Sequence, residues 1–483
     1  MPPKKRDSEN DVDKKPKAKR QKKKKEEFTD SESDGEIEQN NGNGATADEP
    51  EINYDITLEA PMLSGEIMIC GGTNWDLVGR NKMPKEMTKQ KLKGGPSLWR
   101  PHRISDFMDV KVRSVISGCC SAHNVLITTE GKAYSFGRNE KGQLGLGHTN
   151  RVDKPALVEC LAGYNIIDAS CGRNHTLFLT DKGVVYSCGD NKMGQLGLGN
   201  QTTNVASPQR ISYKGPPIRK LACGAEFSLI ADIRGNLYSF GCPEYGQLGH
   251  NTDGKYLVTS NKLAYRCELS PRKVQVWIEK SRDGRISPVI DVEVRDMACG
   301  INHSVVMDSK KRVFTWGFGG YGRLGHADNK DEMVPRLVKM FEGPNRGATK
   351  VAAGSTFTFG LNEYGALYLW GQTKATGEAA MYPKLVQDLS GWRVRSIGCC
   401  HKSIVICADE SVVSWGASPT YGELGYGENK PKSSTVPQEV KTFDGVYVHS
   451  VSCGYGHALF IARNDSDEDR ENLKKMPVYT PMA

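Results

Sequence analysis

The stretch Gly300-Ile301-Asn302-His303, followed by Arg312-Val313-Phe314-Thr315-Trp316-Gly317, decides the fold of this 483-residue chain. Alternate residues of 312–317 suit the two faces of a β-strand. The same frame occurs six times, and its first and last anchors lie 17 residues apart in five units and 16 apart in the sixth. The units span residues 120–137, 172–189, 224–241, 300–317, 354–371 and 400–416. This regular spacing identifies an internal repeat.

The length of the repeat selects the architecture. The first anchors of successive units are 52, 52, 76, 54 and 46 residues apart. Most units continue into a Gly-x-Leu-Gly turn, such as 322–325, and then into a strand that contains proline, such as 334–338. Each unit therefore supplies about four short strands, and repeats of about 50 residues that each form one sheet stack radially as propeller blades. Glycine, at 52 of 483 residues, fits the many tight turns of such a fold.

The two ends of the chain complete a seventh blade. Residues 454–457 begin a unit whose last anchor would fall at Glu471, in an acidic segment. Residues 69–71 end a unit whose first anchor would fall at Tyr54. These halves are complementary, and a blade shared by both termini hides every sheet edge. The sequence therefore predicts an all-β, seven-bladed β-propeller over residues 65–463, closed by N-terminal and C-terminal strands that share one blade.

Charge separates two tails from the propeller. Residues 1–25 hold 12 Lys and Arg against 4 Asp and Glu, whereas residues 26–64 hold 12 acids and no base. Residues 464–483 carry 5 acids and 3 bases, which leaves residues 65–463 with a net charge of +14. Because residues 1–64 have almost no apolar side chains to bury, we expect a disordered basic and then acidic tail, with a charged acidic tail at 464–483.

The tails carry candidate signals. A dense cation run suits a nuclear-import receptor or nucleic-acid phosphates, and its nuclear-localisation candidates are Lys14, Lys15, Lys17, Lys19 and Arg20. A solvated charged tail is the alternative interpretation. Serines embedded in acids suit acid-directed kinases, and the phosphorylation candidates are Ser31, Ser33 and Ser466.

Covalent or metal catalysis is not indicated. No G-x-S-x-G, H-E-x-x-H or Walker loop occurs in the chain. Residues 317–322 match the dinucleotide pattern G-x-G-x-x-G, but they occupy the turn register of the repeat, so a turn is the better interpretation. One repeat position is histidine in four units and Phe or Ser in three, which favours packing and hydrogen bonding over a metal ring. The residues at this position are His123, His175, Phe227, His303, Phe357, Ser403 and His457. We therefore expect no metal and no cofactor.

Hydropathy and cysteine spacing indicate the cellular context. No apolar run approaches the roughly 18 residues of a membrane helix, and no apolar stretch follows the charged N-terminus, so an intracellular protein without an integral membrane segment is expected. The 14 cysteines contain no C-x-x-C, and reduced structural thiols fit best. The vicinal pairs Cys119-Cys120 and Cys399-Cys400 are predicted to be buried strand residues.

The repeat resembles a known family. The pattern Ala-Cys-Gly-x-x-His, followed by an aromatic residue and Gly-x-x-x-x-Gly-Gln-Leu-Gly, is similar to the regulator of chromosome condensation repeat. The similarity covers residues 65–463. The stretches 137–145, 222–228, 236–250 and 316–326 resemble the family's second chromosomal branch more than the branch of its founder, an exchange factor for the small GTPase Ran.

Two insertions interrupt the repeat, and insertions that a blade does not need are often functional. The first lies within 251–292, where residues 274–289 predict a hairpin with an Asp-Gly turn and a charged tip. Family members carry a comparable protrusion that meets the GTPase, so the resemblance implies a GTPase-binding hairpin. A loop that only packs on the propeller rim is the alternative. The implied contact residues are Lys280, Ser281, Arg282, Asp283, Gly284, Arg285, Ile286 and Ser287.

The second insertion, residues 81–109, forms a candidate basic patch with an aromatic side chain, suited to nucleic acid or an acidic protein tail. Its residues are Lys82, Lys85, Lys89, Lys91, Lys93, Trp99, Arg100, His102 and Arg103.

The resemblance implies a small-GTPase-binding regulator, either a guanine-nucleotide exchange factor or a modulator. Rac-type GTPases are the first candidates and Ral or Arf the next. The resemblance also implies mitotic roles at chromosomes, centromeres, spindle microtubules and the midbody, and a location in the nucleus, the nucleolus and the cytoplasmic cytoskeleton. The alternative is a non-catalytic scaffold that binds chromatin, microtubules or RNA and sequesters GTPases, since a basic body favours acidic partners.

Overall fold

The computed structural model describes residues 55–80, 94–259, 262–281, 283–374, 378–417 and 419–482. The nuclear-localisation candidates at 14–20, the serines Ser31 and Ser33, and the lysines at 82–93 lie outside the described residues. Arg282, at the tip of the predicted hairpin, also lies outside them.

Seven antiparallel sheets form the blades of a β-propeller, as the repeat predicts. The innermost strands of successive blades contact one another in a ring, so we name the strands of each blade A to D from the axis outward. Blades 1 to 3 and the hairpins after them contain, in chain order, β3 Val112–Ile116, β4 His123–Thr128, β5 Ala133–Gly137, β6 Val152–Leu157, β7 Ile166–Cys171, β8 His175–Thr180, β9 Val185–Asp190, β10 Asn204–Arg210, β11 Ile218–Cys223, β12 Phe227–Asp232, β13 Leu237–Gly241, β14 Lys255–Thr259, β15 Lys262–Tyr265, β16 Glu268–Lys273, β17 Ile278–Lys280 and β18 Ile286–Pro288. They follow β1 Glu66–Gly72 and β2 Ser97–Ile104, which belong to the closing blade.

The second half of the chain continues the ring. Its strands are β19 Val294–Cys299, β20 His303–Asp308, β21 Val313–Gly317, β22 Glu332–Leu337, β23 Ala348–Ala353, β24 Phe357–Asn362, β25 Leu367–Gly371, β26 Ala380–Leu385, β27 Val394–Cys399, β28 Ser403–Ala408, β29 Ser411–Gly416, β30 Ser434–Glu439, β31 Val448–Gly454, β32 His457–Ala462 and β33 Val478–Tyr479. The A-to-D orders are β3-β4-β5-β6, β7-β8-β9-β10, β11-β12-β13-β16, β19-β20-β21-β22, β23-β24-β25-β26, β27-β28-β29-β30 and, for blade 7, β31-β32-β1-β2. Short 3-10 helices lie at Ser105–Phe107, Glu159–Leu161, Gly320–Gly322, Lys339–Phe341, Gln387–Leu389 and Lys441–Phe443, and α1 is Asp467–Lys474.

Burial explains the strand sequences. Every B strand is buried along its whole length, because blades pack against both of its faces. Every D strand contains a proline at the point where its register with the C strand shifts. Proline lacks a backbone donor and is therefore confined to outer strands and bulges. The prolines are Pro101, Pro155, Pro208, Pro271, Pro335, Pro383 and Pro437.

Blade 7 closes the ring as the complementary half-units predict. β1 pairs along its length with β32, so N-terminal strands complete a blade begun by C-terminal strands. The C-terminal segment is not the tail that its charge predicts: α1 is ordered, and β33 pairs in parallel with β2. Leu473 is 1% exposed and Tyr479 7% exposed. Two buried apolar anchors therefore outweigh the acidic composition of this segment.

Antiparallel order gives the propeller two chemically distinct faces. The A–B and C–D loops open on one side, which we name the AB face, and the B–C turns and D–A connections open on the other, which we name the BC face. The predicted insertion of 251–292 divides between them. β14–β15 lies in the C–D loop of blade 3 on the AB face, and β17–β18 lies in the connection to blade 4 on the BC face, with the regular D strand β16 between them.

Candidate functional site

The β17–β18 hairpin lies where the sequence places a projecting hairpin. Ile278 pairs with Pro288 at its base, and Lys280 pairs with Ile286 near its tip. β17 also runs parallel to β22, with Ile278 opposite Arg336. The hairpin therefore extends the outer edge of blade 4 and projects outward from the BC face.

An aromatic anchor holds the base of this hairpin. The ring of Trp277 lies edge-on to Phe314 at 5.1 Å and to Trp316 at 6.1 Å, and its side chain is buried. Above it, the Glu279 carboxylate pairs with the ammonium group of Lys339, which follows the D strand of the same blade. The base of the hairpin therefore packs on the propeller rim, as in the alternative interpretation of a loop that only packs there. The side chains of Asp283, Arg285 and Ile286 at the tip stay exposed to solvent.

The tip is a tight turn with an exposed charged surface. Gly284 has a φ of 86°, and its N–H donates to the carbonyl oxygen of Ser281 at 3.0 Å. The Ser281 hydroxyl donates to Asp283 and lowers the pKa of that exposed carboxyl. Arg285 and Ile286 face solvent, with Ile286 58% exposed. Lys280 and Ser287 are half-buried where the strands leave the blade.

The hairpin offers a binding surface and no catalytic cluster. Its tip presents an ionised carboxylate, cations and an apolar side chain to solvent. Within the described ranges, no group of three His, Cys, Asp or Glu side chains is placed to hold a metal ion. These groups can form ionic and apolar contacts with another macromolecule.

A second hairpin, β14–β15, is present that the repeat pattern does not predict. Leu257 pairs with Leu263 and Tyr256 with Ala264, on a two-stranded sheet that no other strand of the described residues joins. Its signal was present as two apolar runs separated by Ser260-Asn261, a turn-forming pair. The spacing of 76 residues between the third and fourth units shows that extra residues are present. It does not show whether they form one hairpin or two.

The basic patch predicted within residues 81–109 does not form one surface in the part that the structure describes. Residues 97–104 form β2, the D strand of blade 7, and are not an insertion. Arg103 pairs with the buried carboxylate of Glu66 at 2.5 Å, so its charge is neutralised inside the blade. Lys432, from another loop, lies over the ring of Trp99 at 4.2 Å. Arg103 and Trp99 are therefore structural, whereas Arg100 is exposed on β2.

The repeat histidines connect neighbouring blades. Each Nε2 atom meets a polar side chain that follows the equivalent position in the next blade. The pairs are His123–Thr176 at 2.8 Å, His175–Ser228 at 2.9 Å, His303–Thr358 at 3.0 Å and His457–Asn124 at 2.6 Å. Burial lowers the pKa of His123, His175 and His457 to about 3, so the rings are neutral at physiological pH. These contacts explain the hydrogen-bonding role predicted for this position.

Ser466 begins α1. Its hydroxyl accepts a hydrogen bond from the N–H of Asp469 at 3.0 Å, and the Asp469 carboxylate accepts one from the N–H of Ser466 at 3.1 Å. This capping box satisfies two free amides of the first helical turn. Arg463 donates to both oxygens of Asp469 and lowers the pKa of that carboxyl to about 2. The candidate phosphorylation site thus lies on an ordered, exposed cap.

The 14 cysteines are all free thiols, and most of them are buried in the propeller. The pairs Cys119-Cys120 and Cys399-Cys400 are buried as predicted. Of these four, only Cys399 is a strand residue, since Cys119 and Cys120 lie in the loop between β3 and β4 and Cys400 follows β27. Burial raises the pKa of Cys400 to about 11, which keeps the thiol protonated. Among the described helices, none is long and apolar enough to span a membrane.

Comparison with known sequences gives close relatives. The RCC1-like domain family matches residues 154–460. Protein RCC2 of Mus musculus is 58% identical over 438 residues, which cover 90% of this chain and 84% of the mouse protein. A Danio rerio protein named Protein RCC2 homolog is 57% identical over 431 residues, covering 89% of this chain and 87% of that protein.

Comparison with solved structures gives the same fold. Prp20p from Saccharomyces cerevisiae, whose structure was described with its binding properties to Gsp1p and histones, has a TM-score of 0.64 at 20% identity and covers 86% of this chain and 95% of its own. Human WBSCR16 also has a TM-score of 0.64, at 22% identity, and covers 83% of this chain and 100% of its own. At these identities the likeness shows the fold alone.

Proposed function

Since this chain belongs to the RCC1-like domain family, as its repeat predicts, we propose that it is a small-GTPase-binding regulator and that the β17–β18 hairpin is its GTPase contact. The observation that carries the proposal is the described part of the tip, which projects from the BC face with Asp283, Arg285 and Ile286 exposed. The relative Prp20p, described as binding Gsp1p, supports the class of partner.

Nucleotide exchange would need no covalent chemistry from this surface. A factor accelerates exchange by binding the nucleotide-free GTPase better than the nucleotide-bound form. A carboxylate held ionised competes for the cation beside the bound nucleotide, while guanidinium and ammonium groups compete for its phosphates. Asp283 and Arg285 fit these two roles, and the buried Trp277 holds the hairpin in position.

Rac-type GTPases are the proposed partners, with Ral and Arf next. The test is release of a fluorescent GDP analogue from purified Rac, Ran, Ral and Arf by catalytic amounts of the full chain. We expect multiple turnovers on one GTPase, reduced at least tenfold by Lys280→Glu with Arg285→Glu. The matched control is Lys262→Glu with Arg266→Glu, an equal charge change in β14–β15 on the opposite face.

The outcome separates two mechanisms. Loss of turnover in the β17–β18 variant with normal turnover in the control supports an exchange factor that uses this hairpin. Binding without accelerated release supports the scaffold that sequesters GTPases, which the net charge of +14 over residues 65–463 favours as a holder of acidic partners. Equal loss in both variants rejects the hairpin as the contact.

Cellular placement is proposed from the same family membership. We propose action in mitosis with chromatin or nucleic acid and microtubules as further partners, and import into the nucleus and nucleolus through the basic run at 14–20. A fluorescent fusion of the full chain tests the import signal. Replacement of its five cations with alanine is expected to shift the protein to the cytoplasm, and an unchanged distribution would reject the signal.

A further inference from the structure

The β14–β15 hairpin concentrates exposed apolar side chains. Tyr256 is 42% exposed, Leu257 68%, Val258 50% and Leu263 47%. Nowhere else in the described chain do four large apolar side chains stand exposed within eight residues. Exposed apolar clusters with a polar rim mark interaction surfaces on soluble proteins.

The backbone of this hairpin is also unpartnered. Among the strands that the structure describes, β14 pairs only with β15, and none joins either edge of the hairpin. A two-stranded sheet alone is only marginally stable in water, and free edges are templates for pairing with another chain. The hairpin is therefore suited to being covered by a partner.

The cations beside the apolar side chains of the hairpin favour an acidic partner. Lys255, Lys262 and Arg266 flank the apolar side chains, and Lys255 pairs with Asp253 at 3.1 Å. No carboxylate among the described residues pairs with Lys262 or Arg266, and the Arg266 guanidinium lies over the Tyr256 ring at 5.7 Å. An acidic ligand satisfies these cations. The aliphatic side chains favour a polypeptide over a nucleic acid, since leucines offer no hydrogen bond or stacking surface to bases.

An aromatic row continues from the hairpin across the AB face. The Tyr265 hydroxyl at its base donates to Glu244 at 2.8 Å. The next residue, Tyr245, lies 4.8 Å from the ring of Phe318 in blade 4. The row ends at Tyr321, which is 50% exposed beside a cleft that Met381 of blade 5 lines. We name Tyr245, Phe318 and Tyr321 the aromatic row.

The loop that carries Tyr321 departs from its repeats. In blades 1 to 3 a glutamine side chain accepts the N–H two residues before it, at 2.9, 2.9 and 2.7 Å. Blade 4 has Arg323 at this position, and a guanidinium cannot accept a hydrogen bond. Its Nε instead donates to the carbonyl oxygen of Gly320 at 2.9 Å, and Asn329 accepts the N–H of Gly322 at 3.0 Å.

This rearrangement strains one residue. Tyr321 has φ 64° and ψ 19°, a left-handed conformation that costs a bulky side chain energy. Arg323 is 3% exposed and lies under the ring of Phe318 at 4.6 Å. Among the described non-glycine residues with a positive φ, Tyr321 is the only aromatic one.

We propose that β14–β15 and the aromatic row form a docking surface on the AB face for an acidic polypeptide segment that carries aromatic or long aliphatic side chains. This surface is separate from the GTPase contact, because β17–β18 lies on the BC face. The proposal stands or falls independently of the function proposed above.

The test compares two acidic probes on the full chain. Fluorescent poly-glutamate offers charge alone, whereas a glutamate–tyrosine copolymer of the same length offers charge with aromatic side chains. The basic N-terminal run contacts both polymers through charge, so its contribution largely cancels in the ratio of the two affinities. We expect the copolymer to bind at least fivefold more tightly by fluorescence anisotropy.

Variants locate the preference. Leu257→Ser with Leu263→Ser is expected to bring the ratio of affinities near one. The matched control, Tyr164→Ser with Tyr364→Ser, removes two exposed aromatic side chains of the BC face outside the β17–β18 hairpin and is expected to preserve it. Tyr321→Gly is expected to reduce the ratio while the unfolding midpoint is kept or raised, since glycine adopts a φ of 64° without strain.

Four results would overturn the proposal. These are equal affinity for both polymers, equal loss of preference in the control variant, and a ratio that Tyr321→Gly leaves unchanged. The fourth is tighter binding to phosphatidylserine vesicles or single-stranded RNA that the Leu257→Ser and Leu263→Ser variant abolishes, which would assign the surface to lipid or nucleic acid.

Discussion

At the scale of the residue, ring packing explains the Cys-Gly-x-x-His signature. A Cβ at Gly354 would lie 2.2 Å from a ring carbon of Phe357, and one at Gly300 would lie 2.0 Å from the His303 ring. In these units the ring folds back over the backbone three residues earlier, so a Cβ does not fit beneath it. Blade 1 departs from this rule, because Cys120 precedes the buried ring of His123 by three residues. The unit with a small residue, Ser403, accordingly has Cys400 in place of glycine.

This packing gives a double-mutant prediction. Gly354→Ala is expected to cost about 1–3 kcal/mol of unfolding free energy through overpacking. With Phe357→Ser the ring is gone, so adding Gly354→Ala to that variant should cost little more, which urea unfolding measures. Gly163→Ala, where a Cβ meets nothing within 4 Å, is the control. Additive costs of the two changes would contradict the packing explanation.

The buried histidines predict acid sensitivity. Their folded pKa of about 3 lies below the ordinary value of 6.5, so the unfolded chain binds more protons between these pH values. Stability is therefore full above pH 6.5 and falls below it, by about 1.4 kcal/mol per pH unit for each histidine.

The variant His175→Phe tests this origin. Phenylalanine already occupies the equivalent position at Phe227 and Phe357, so the fold should tolerate it. Between pH 7 and pH 5 the urea midpoint of the variant should fall less steeply than that of the parent chain. The difference in slope should correspond to the contribution of one histidine, about 1.4 kcal/mol per pH unit. An identical slope would place the acid sensitivity elsewhere.

At the scale of the element, α1 shows how a charged segment becomes ordered. Its first turn carries three acids next to the positive end of the helix, and Ser466 and Asp469 cap it. Leu473 then enters a core cluster with Phe443 and Phe460. Local capping and one buried side chain suffice, although the composition of 464–483 alone suggests a solvated tail.

The cap can be tested directly. Ser466→Ala is expected to cost about 1 kcal/mol of unfolding free energy, because the N–H of Asp469 loses its acceptor. Ser466→Asp should retain most of the stability, since aspartate also caps. Hydrogen exchange within 467–474 should rise in the first variant only. Equal exchange in both variants would mean that the cap contributes nothing.

At the scale of the whole molecule, C-terminal residues hold the N-terminal strands of blade 7. We name residues 466–482, which include α1 and β33, the clasp. The strands β1 and β2 lie between β32 on one side and β33 on the other, so C-terminal segments hold both edges of the N-terminal pair. Tyr479 enters a core cluster with Trp75 and Leu98, and Arg103 donates its N–H to Pro477 at 2.9 Å. The ring therefore depends on contacts between residues at opposite ends of the chain.

Removing the clasp should loosen the ring. A chain that ends at Asn464 is expected to lose more stability than Leu473→Ala, which should itself cost about 2–5 kcal/mol. Hydrogen exchange should then increase in β1 and β2 more than in blades 2 to 5. Val436→Ala, at a 49% exposed side chain, is the control and should change little. Unchanged exchange in β1 and β2 would show that β32 alone holds them.

The sequence by itself determined the number of blades, their closure and the family, because a repeat is a periodic pattern and needs no knowledge of distant contacts. It also located the β17–β18 hairpin, whose Asp-Gly turn is a local signal.

Tertiary structure alone decided which face each hairpin occupies, that Arg103 is neutralised by Glu66, and that 466–482 forms a clasp. It also decided the conformation of Tyr321, which follows from a missing acceptor in its loop and from arginine–ring contacts. The physical reason is that these features arise from pairings between residues far apart in the chain, which composition and spacing do not record.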